Sequence, residues 1–226
     1  MFGKQKTGSD IYGVKGKRPF RDESPETGFR HSDHYHRYFR GYTEVRTEKP
    51  NGGYRLKRFY TAPWQVQDCS DRAYWCGRAL CVLLVALAAV LYVMALTNAA
   101  AGGNACWYVA VPGLPSAVLL VYCAGATLLW FFAPRRMTYY DRDAGATRLR
   151  IAALIAAIAL ALTAAAKLVY LIGSAGTPVL PELLTAAELL AAAAAIYAEG
   201  RYIRSLRYRE EPNETVLPEG EQYEIR

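Results

Sequence analysis

RALCVLLVALAAVLYVMALT, residues 78–97, holds one charge, at its first position, in a stretch the length of a bilayer crossing. About 20 apolar residues at about 1.5 Å rise span a hydrocarbon core of about 30 Å as a helix. Three further stretches read the same way: Leu114–Ala133, Leu149–Ile172 and Val179–Gly200. Continuous runs of this kind exclude a β-barrel, whose strands alternate in polarity. The expected fold class is an all-α integral membrane protein with four transmembrane helices.

The connections set the orientation. Residues 98–113 and 173–181 contain no charge, whereas 134–150 carries Arg135, Arg136, Arg142, Arg148 and Arg150 against Asp141 and Asp143. Arg72 and Arg78 stand at the start of the first span, and Arg201, Arg204, Arg207 and Arg209 follow the fourth. Lys and Arg near span ends resist translocation, so the basic segments are expected in the cytoplasm with both termini. Tyr74, Trp75, Trp130, Phe131, Phe132, Tyr197 and Tyr202 fall near the inner interface, and Trp107, Tyr108 and Tyr170 near the outer one. Amphipathic rings favour that level. The first 77 residues hold no apolar run, so the first span is expected to act as an uncleaved insertion signal. No eukaryotic targeting signal is evident, which points to a plasma membrane of the bacterial inner-membrane kind.

Net charge is +7, with +6 on residues 1–74, +3 on the 134–150 loop and −1 on the tail from Gly200. The far C-terminal end is therefore acidic and the surface near the membrane basic. Anionic lipid headgroups attract such a surface at about 1 kcal/mol per Lys or Arg close to it. Nucleic acid is the less favoured partner, because retention in the cytoplasm already accounts for the charge. Of Cys69, Cys76, Cys81, Cys106 and Cys123, only Cys106 is expected outside, where it has no intramolecular partner. No CxxC spacing occurs, and His31, His34 and His36 lie in a polar tail without a rigid support, so no metal site is assigned.

Residues 1–40 are poor in aliphatic side chains and are expected to be a disordered basic tail. Residues 41–77 differ. YTEVRT and YRLKRFYTA alternate in polarity on either side of Asn51-Gly52-Gly53, which supplies the positive-φ residues of a tight turn, so a small cytoplasmic β-hairpin is predicted. A lone hairpin is marginal in water and needs a surface. The loop RMTYYDRDAGATRLR, the C-terminal TVLPEGEQYEIR or a partner protein could supply it. Arg55, Lys57 and Arg58 of the hairpin, with Arg135 and Arg136, are the candidate contacts to a partner or to lipid. The four-helix domain occupies 78–200, and a cytoplasmic tail 201–226.

Spans three and four are alanine-rich. Ala153, Ala157, Ala161 and Ala165 recur every fourth residue, as do Ala187, Ala191 and Ala195, and small residues at that spacing let membrane helices approach closely. Lys167 and Glu188 are the charges well inside the apolar runs. Each lies about 10 Å below the outer boundary on adjacent antiparallel helices, so an ion pair is expected. It would pin the register of the hairpin, with Glu199 solvated at the inner interface, or serve with Glu199 as an ion relay; Lys167 could instead snorkel outward alone.

Neither HExxH, GxSxG, GxGxxG nor GxxxxGK[ST] occurs, and Asp141 and Asp143 are too few acids for a lipid-transferring centre. No catalytic residue, cofactor or metal is assigned. The expected function is a non-enzymatic anchor or accessory subunit that recruits a partner at the cytoplasmic face. The alternative is a small transporter or channel component, which with four spans would act as a homo-oligomer.

Overall fold

Four long helices carry the fold: α2 (Asp71–Thr97), α3 (Trp107–Phe132), α4 (Tyr139–Gly173) and α5 (Val179–Ser205). Each is long and apolar enough to cross a membrane. They belong to a computed structural model that describes residues 33–48, 54–174, 178–219 and 221–224. The chain divides into two compact units: residues 64–137 with 141–211, and residues 1–63 with 138–140 and 212–226.

The helical unit packs α2 on α5, α5 on α4 and α4 on α3, and α3 closes back on α2. Its core is made of small and branched side chains, with Ala88, Ala153, Ala156, Leu160, Ala164, Leu189, Ala192 and Ile196 fully buried. The α4–α5 interface is the most extensive, in keeping with the alanine content. The expected alanine rows are only partly the ones used. Ala153 and Ala157 are buried, but Ala165, Ala187 and Ala191 are exposed, and Ala186, Leu189, Ala193, Ile196 and Gly200 form the buried row of α5. A step of four residues advances about 40° beyond a full turn, so a run of alanines does not fix which face packs. At Gly200 an added Cβ would stand 3.2 Å from Ala153 Cβ, which shows how near the two helices lie.

Helix limits differ from the expected spans chiefly at their starts. Ser70 caps α2 by accepting a bond from Ala73 N (3.3 Å), so the helix begins at Asp71, seven positions before Arg78. Helix α3 begins at Trp107 and contains Pro112 and Pro115, which remove the donors for the Tyr108 and Val111 carbonyls. Between α2 and α3, a 3-10 turn (Gly102–Ala105) lets the Asn104 amide donate to the carbonyls of Ala95 and Leu96, both at 3.0 Å. Those are two of the carbonyls a helix end leaves without partners.

A small sheet forms where this unit's segments leave the helices. Strand β3 (Trp64–Gln67) lies between β4 (Arg136–Met137) and β5 (Tyr208–Glu211), both antiparallel to it. Thus the segment before α2, the loop after α3 and the segment after α5 share one ladder. The strands are too short to show polarity alternation, so sequence periodicity gave no sign of them.

The second unit contains the predicted hairpin. Strands β1 (Tyr42–Glu48) and β2 (Tyr54–Tyr60) pair with Val45 opposite Lys57, and β6 (Glu221–Glu224) adds to the free side of β1. The C-terminal segment therefore supplies part of the surface the hairpin needed. The expected turn, Asn51-Gly52-Gly53, lies outside the described residues, as do residues 1–32 of the expected tail. The end of that tail is a correction: Asp33–Tyr38 is helical (α1). Its Tyr35 and Phe39 just beyond it pack on Arg58, whose guanidinium stands 5.3 and 4.5 Å from the two ring centres. Tyr38 meets Tyr140 with ring centres 4.4 Å apart, so the tyrosine pair of the 134–150 loop also contributes. Gly41 has φ +81°, and an added Cβ would stand 2.5 Å from Ala62 Cβ; the close turn into β1 requires glycine. Both faces of β1 are covered at its centre, since Thr43, Glu44 and Val45 are all buried.

Candidate functional site

The charged groups of the helical unit gather at its two ends, separated by the apolar core. At the end with uncharged loops, Lys167 Nζ stands 3.5 Å from Glu182 Oε2, and both side chains have no exposed surface. The other Glu182 oxygen accepts the Gly103 backbone N–H at 2.7 Å. An added Cβ at Gly103 would fall 2.8 Å from Glu182 Oε2 and 2.8 Å from Tyr170 Cδ1, so the turn presses directly on the carboxylate. The expected partner, Glu188, does not take this place. At about 3.6 residues per turn, six positions carry it about 120° round the helix from Glu182. It is half-buried, with Oε2 lacking a hydrogen-bond partner. Six positions also displace Glu188 about 9 Å along the helix from Glu182, so both its facing and its level differ from those of the residue that meets Lys167; Glu182 had not been singled out from sequence.

Glu199 corrects a second expectation. The registry-pin reading left it solvated at the inner interface, but it is buried, and Thr127 Oγ1 on α3 donates to it at 2.6 Å. The same hydroxyl lies 2.8 Å from the Cys123 carbonyl. Ser116 and Thr163 meet at 3.0 Å nearer the other end. About 16 Å of helix separates Glu188 from Glu199 at about 1.5 Å per residue. Leu160, Leu189 and Ile196, all without exposed surface, pack in the core.

At the arginine-rich end, Arg78 is 1% exposed although it had been read as a basic residue at the very start of the first span. Its Nη1 donates to the Phe131 and Ala133 carbonyls, both at 2.6 Å, capping the C-terminus of α3 where a cation suits the helix dipole. Its guanidinium also stands 4.2 Å from the Tyr74 ring centre and 4.9 Å from that of Trp130. The apolar run concealed this residue because its charge matched the positive-inside pattern.

The candidate contact arginines fall into three groups. Arg58 is engaged internally, with Nε donating to buried Glu44 at 2.7 Å; Tyr35 Oη donates to the same oxygen at 2.5 Å. Lys57 is exposed, and Arg55 is described only as a backbone partner of Thr47. Arg135 is tied to Asp71 and donates to the Cys69 carbonyl at 2.7 Å; the Asp71 carboxylate holds its guanidinium above the ordinary value. Arg136 is 70% exposed at its side chain and shares Glu211 with Arg209, at 3.2 and 2.8 Å. These three arginines, Val66 and Glu211 surround an open recess of about 490 Å³. Arg209 was visible as a span-flanking charge, but its place beside Arg136 depends on the pairing of β3 with both β4 and β5.

A mostly helical chain with four bilayer-length apolar helices is a multi-pass membrane protein. Comparison with known proteins goes no further: no family model, no curated protein and no solved structure matches it.

Proposed function

We propose that the chain is a non-enzymatic membrane anchor or accessory subunit whose arginine-rich face recruits a partner in the cytoplasm. In this reading both termini are cytoplasmic, in a plasma membrane of the bacterial inner-membrane kind. The observation that carries it is the recess lined by Arg135, Arg136 and Arg209, where Arg136 and Arg209 share the single carboxylate of Glu211 while Arg135 is held by Asp71. Arg136 and Arg209 retain N–H groups in fixed fork geometry, which suits an acidic segment of a partner protein. The three segments that build the recess emerge from different spans, so the sheet gives them a common, stable spacing.

Native mass spectrometry of the gently extracted protein, purified from its host, tests this. A stoichiometric second protein should accompany the wild-type chain and be lost from Arg136→Glu/Arg209→Glu, whose exposed side chains make folding damage small. A partner that remains bound to the double variant, or anionic lipid alone at the recess, would refute the reading. Orientation has its own check: a reporter active only outside the cytoplasm should work when fused after Asn104 and be silent after Gly145. The reverse pattern would invert the face.

Buried Glu199 favours a second reading, a small oligomeric transporter or channel component. The apolar packing between Glu188 and Glu199 weighs against a path within one copy. A homo-oligomer without a second protein in the same mass spectrum would shift the balance toward it.

A further inference from the structure

Arg78 is engaged along one edge only. Its Nη1 caps the Phe131 and Ala133 carbonyls, while Nε and Nη2 are buried and have no hydrogen-bond partner among the described residues. Those two nitrogens lie along one edge of the planar guanidinium, and their N–H groups project in parallel as a fork. The side chain is 1% exposed, so solvent outside the fold does not satisfy the fork. A buried donor without an acceptor is costly, and a charged one more so. Charge is unbalanced at the same place. Arg135 is paired with Asp71 and Arg142 with Asp143, but Arg78 meets no carboxylate among the described residues. The Tyr74 and Trp130 rings and the two carbonyls offer it partial negative charge, not a counter-ion.

Further donors stand nearby. Tyr208 Oη on β5 is buried without a hydrogen-bond partner, close enough to feel the charges of Arg142 and Arg78. Burial raises this hydroxyl above its ordinary value by more than the two arginines lower it, so it keeps a proton to donate. The Trp130 N–H lies beside the same oxygen, wide of good hydrogen-bond geometry. Gln67, across the ladder from Tyr208, supplies the group's one unpartnered acceptor, Oε1. Donors outnumber acceptors, and the surplus charge is one. We infer that Arg78 centres a site for one small monovalent inorganic anion of the halide class, seated on its Nε–Nη2 edge with the Tyr208 hydroxyl as a further donor. A single charge matches the single unbalanced guanidinium. Small size follows from burial, since a peptide carboxylate or a lipid phosphate brings a chain that needs an opening to solvent. Water would satisfy the donors but leave the charge. The site draws on α2 and β5, so the ion ties the helices to the short sheet.

This inference does not depend on the partner-recruitment reading. The test is tryptophan fluorescence of the full chain, purified in detergent with gluconate salts and titrated with bromide at constant ionic strength. Bromide quenches an indole that it touches, and the difference between wild type and Trp130→Phe isolates the ring beside Arg78. Wild-type quenching should saturate, and chloride should reverse it whereas sulfate should not. Tyr208→Phe, which keeps the ring and removes the hydroxyl, should raise the half-saturating bromide about tenfold. Arg78→Gln should abolish the saturable part; if that variant fails to fold, Tyr208→Phe decides. Arg72→Gln, exposed in the first turn of α2, should change nothing. Trp130 quenching that never saturates, or that chloride fails to reverse, would overturn the site and leave water on the fork. An unshifted half-saturation point in Tyr208→Phe, or an equal shift in Arg72→Gln, would place the ion elsewhere and overturn it equally.

Discussion

Lys167→Met should destabilise the helical bundle by about 3–5 kcal/mol, and Glu182→Gln by a similar amount, in equilibrium unfolding from mixed micelles. Each substitution leaves the other charge buried without its counter-ion. The environment gives no relief, since neither side chain has exposed surface. Among the described residues, loss of Lys167 also leaves the Glu182 carboxylate with only the Gly103 N–H that it accepts at 2.7 Å. The double change, Lys167→Met with Glu182→Met, should recover most of the loss, because a pair of apolar side chains carries no desolvation cost. Glu188→Gln should change stability by less than about 1 kcal/mol, as expected of a half-buried group with no ion pair among the described residues. If Glu188→Gln proved as damaging as Glu182→Gln, the pairing seen here would be wrong. Independent effects of the two single changes, adding in the double variant, would equally exclude a coupled pair.

Gly77→Leu should loosen α2 from α5 by about 1–3 kcal/mol, the usual cost of forcing bulk into a packed contact. An added Cβ would fall 1.6 Å from Tyr202 Oη and 2.6 Å from its Cζ, so the ring would have to leave its place. Tyr202 packs with Cys81, Trp130, Leu149 and Ile203 in a small cluster at the arginine-rich end, so its displacement disturbs more than one helix. Tyr202→Ala in the same chain should relieve the strain. The double variant would then lie closer to wild type than the sum of the two single losses, measured in the same unfolding assay. Strict additivity would show that the two positions do not touch.

What could be read in advance follows the length scale of each interaction. The four spans were visible because hydrocarbon thickness demands about 20 apolar residues in a row, a property of the chain alone. Strands β1 and β2 were visible because seven-residue strands are long enough to alternate around a turn signal. Strands β3, β4 and β5 have four, two and four residues, and no period can be read from so few. The Lys167 contact shows a different limit. Two charges at equal depth on neighbouring helices suggested a pair, but a helix presents each position to only one direction. Glu188 lies about 120° round the helix and about 9 Å along it from Glu182, and it is Glu182 that meets Lys167. Arg78 and Glu199 were misread for a related reason: a charge near a span end satisfies solvent and a buried partner equally well on paper. Phe131, Ala133 and Thr127, which bind them, lie about 50 to 70 positions away in the chain.

The sequence by itself determined that this chain crosses a membrane with four helices, and it carried the charge asymmetry from which an orientation is argued. Both rest on transfer of side chains between water and hydrocarbon, which each segment undergoes separately. The tertiary structure decided which acid meets Lys167, which alanines pack, and which arginines share a recess. Those outcomes depend on the phase of each helix against its neighbours and on ladders joining distant segments, and no single segment contains that information.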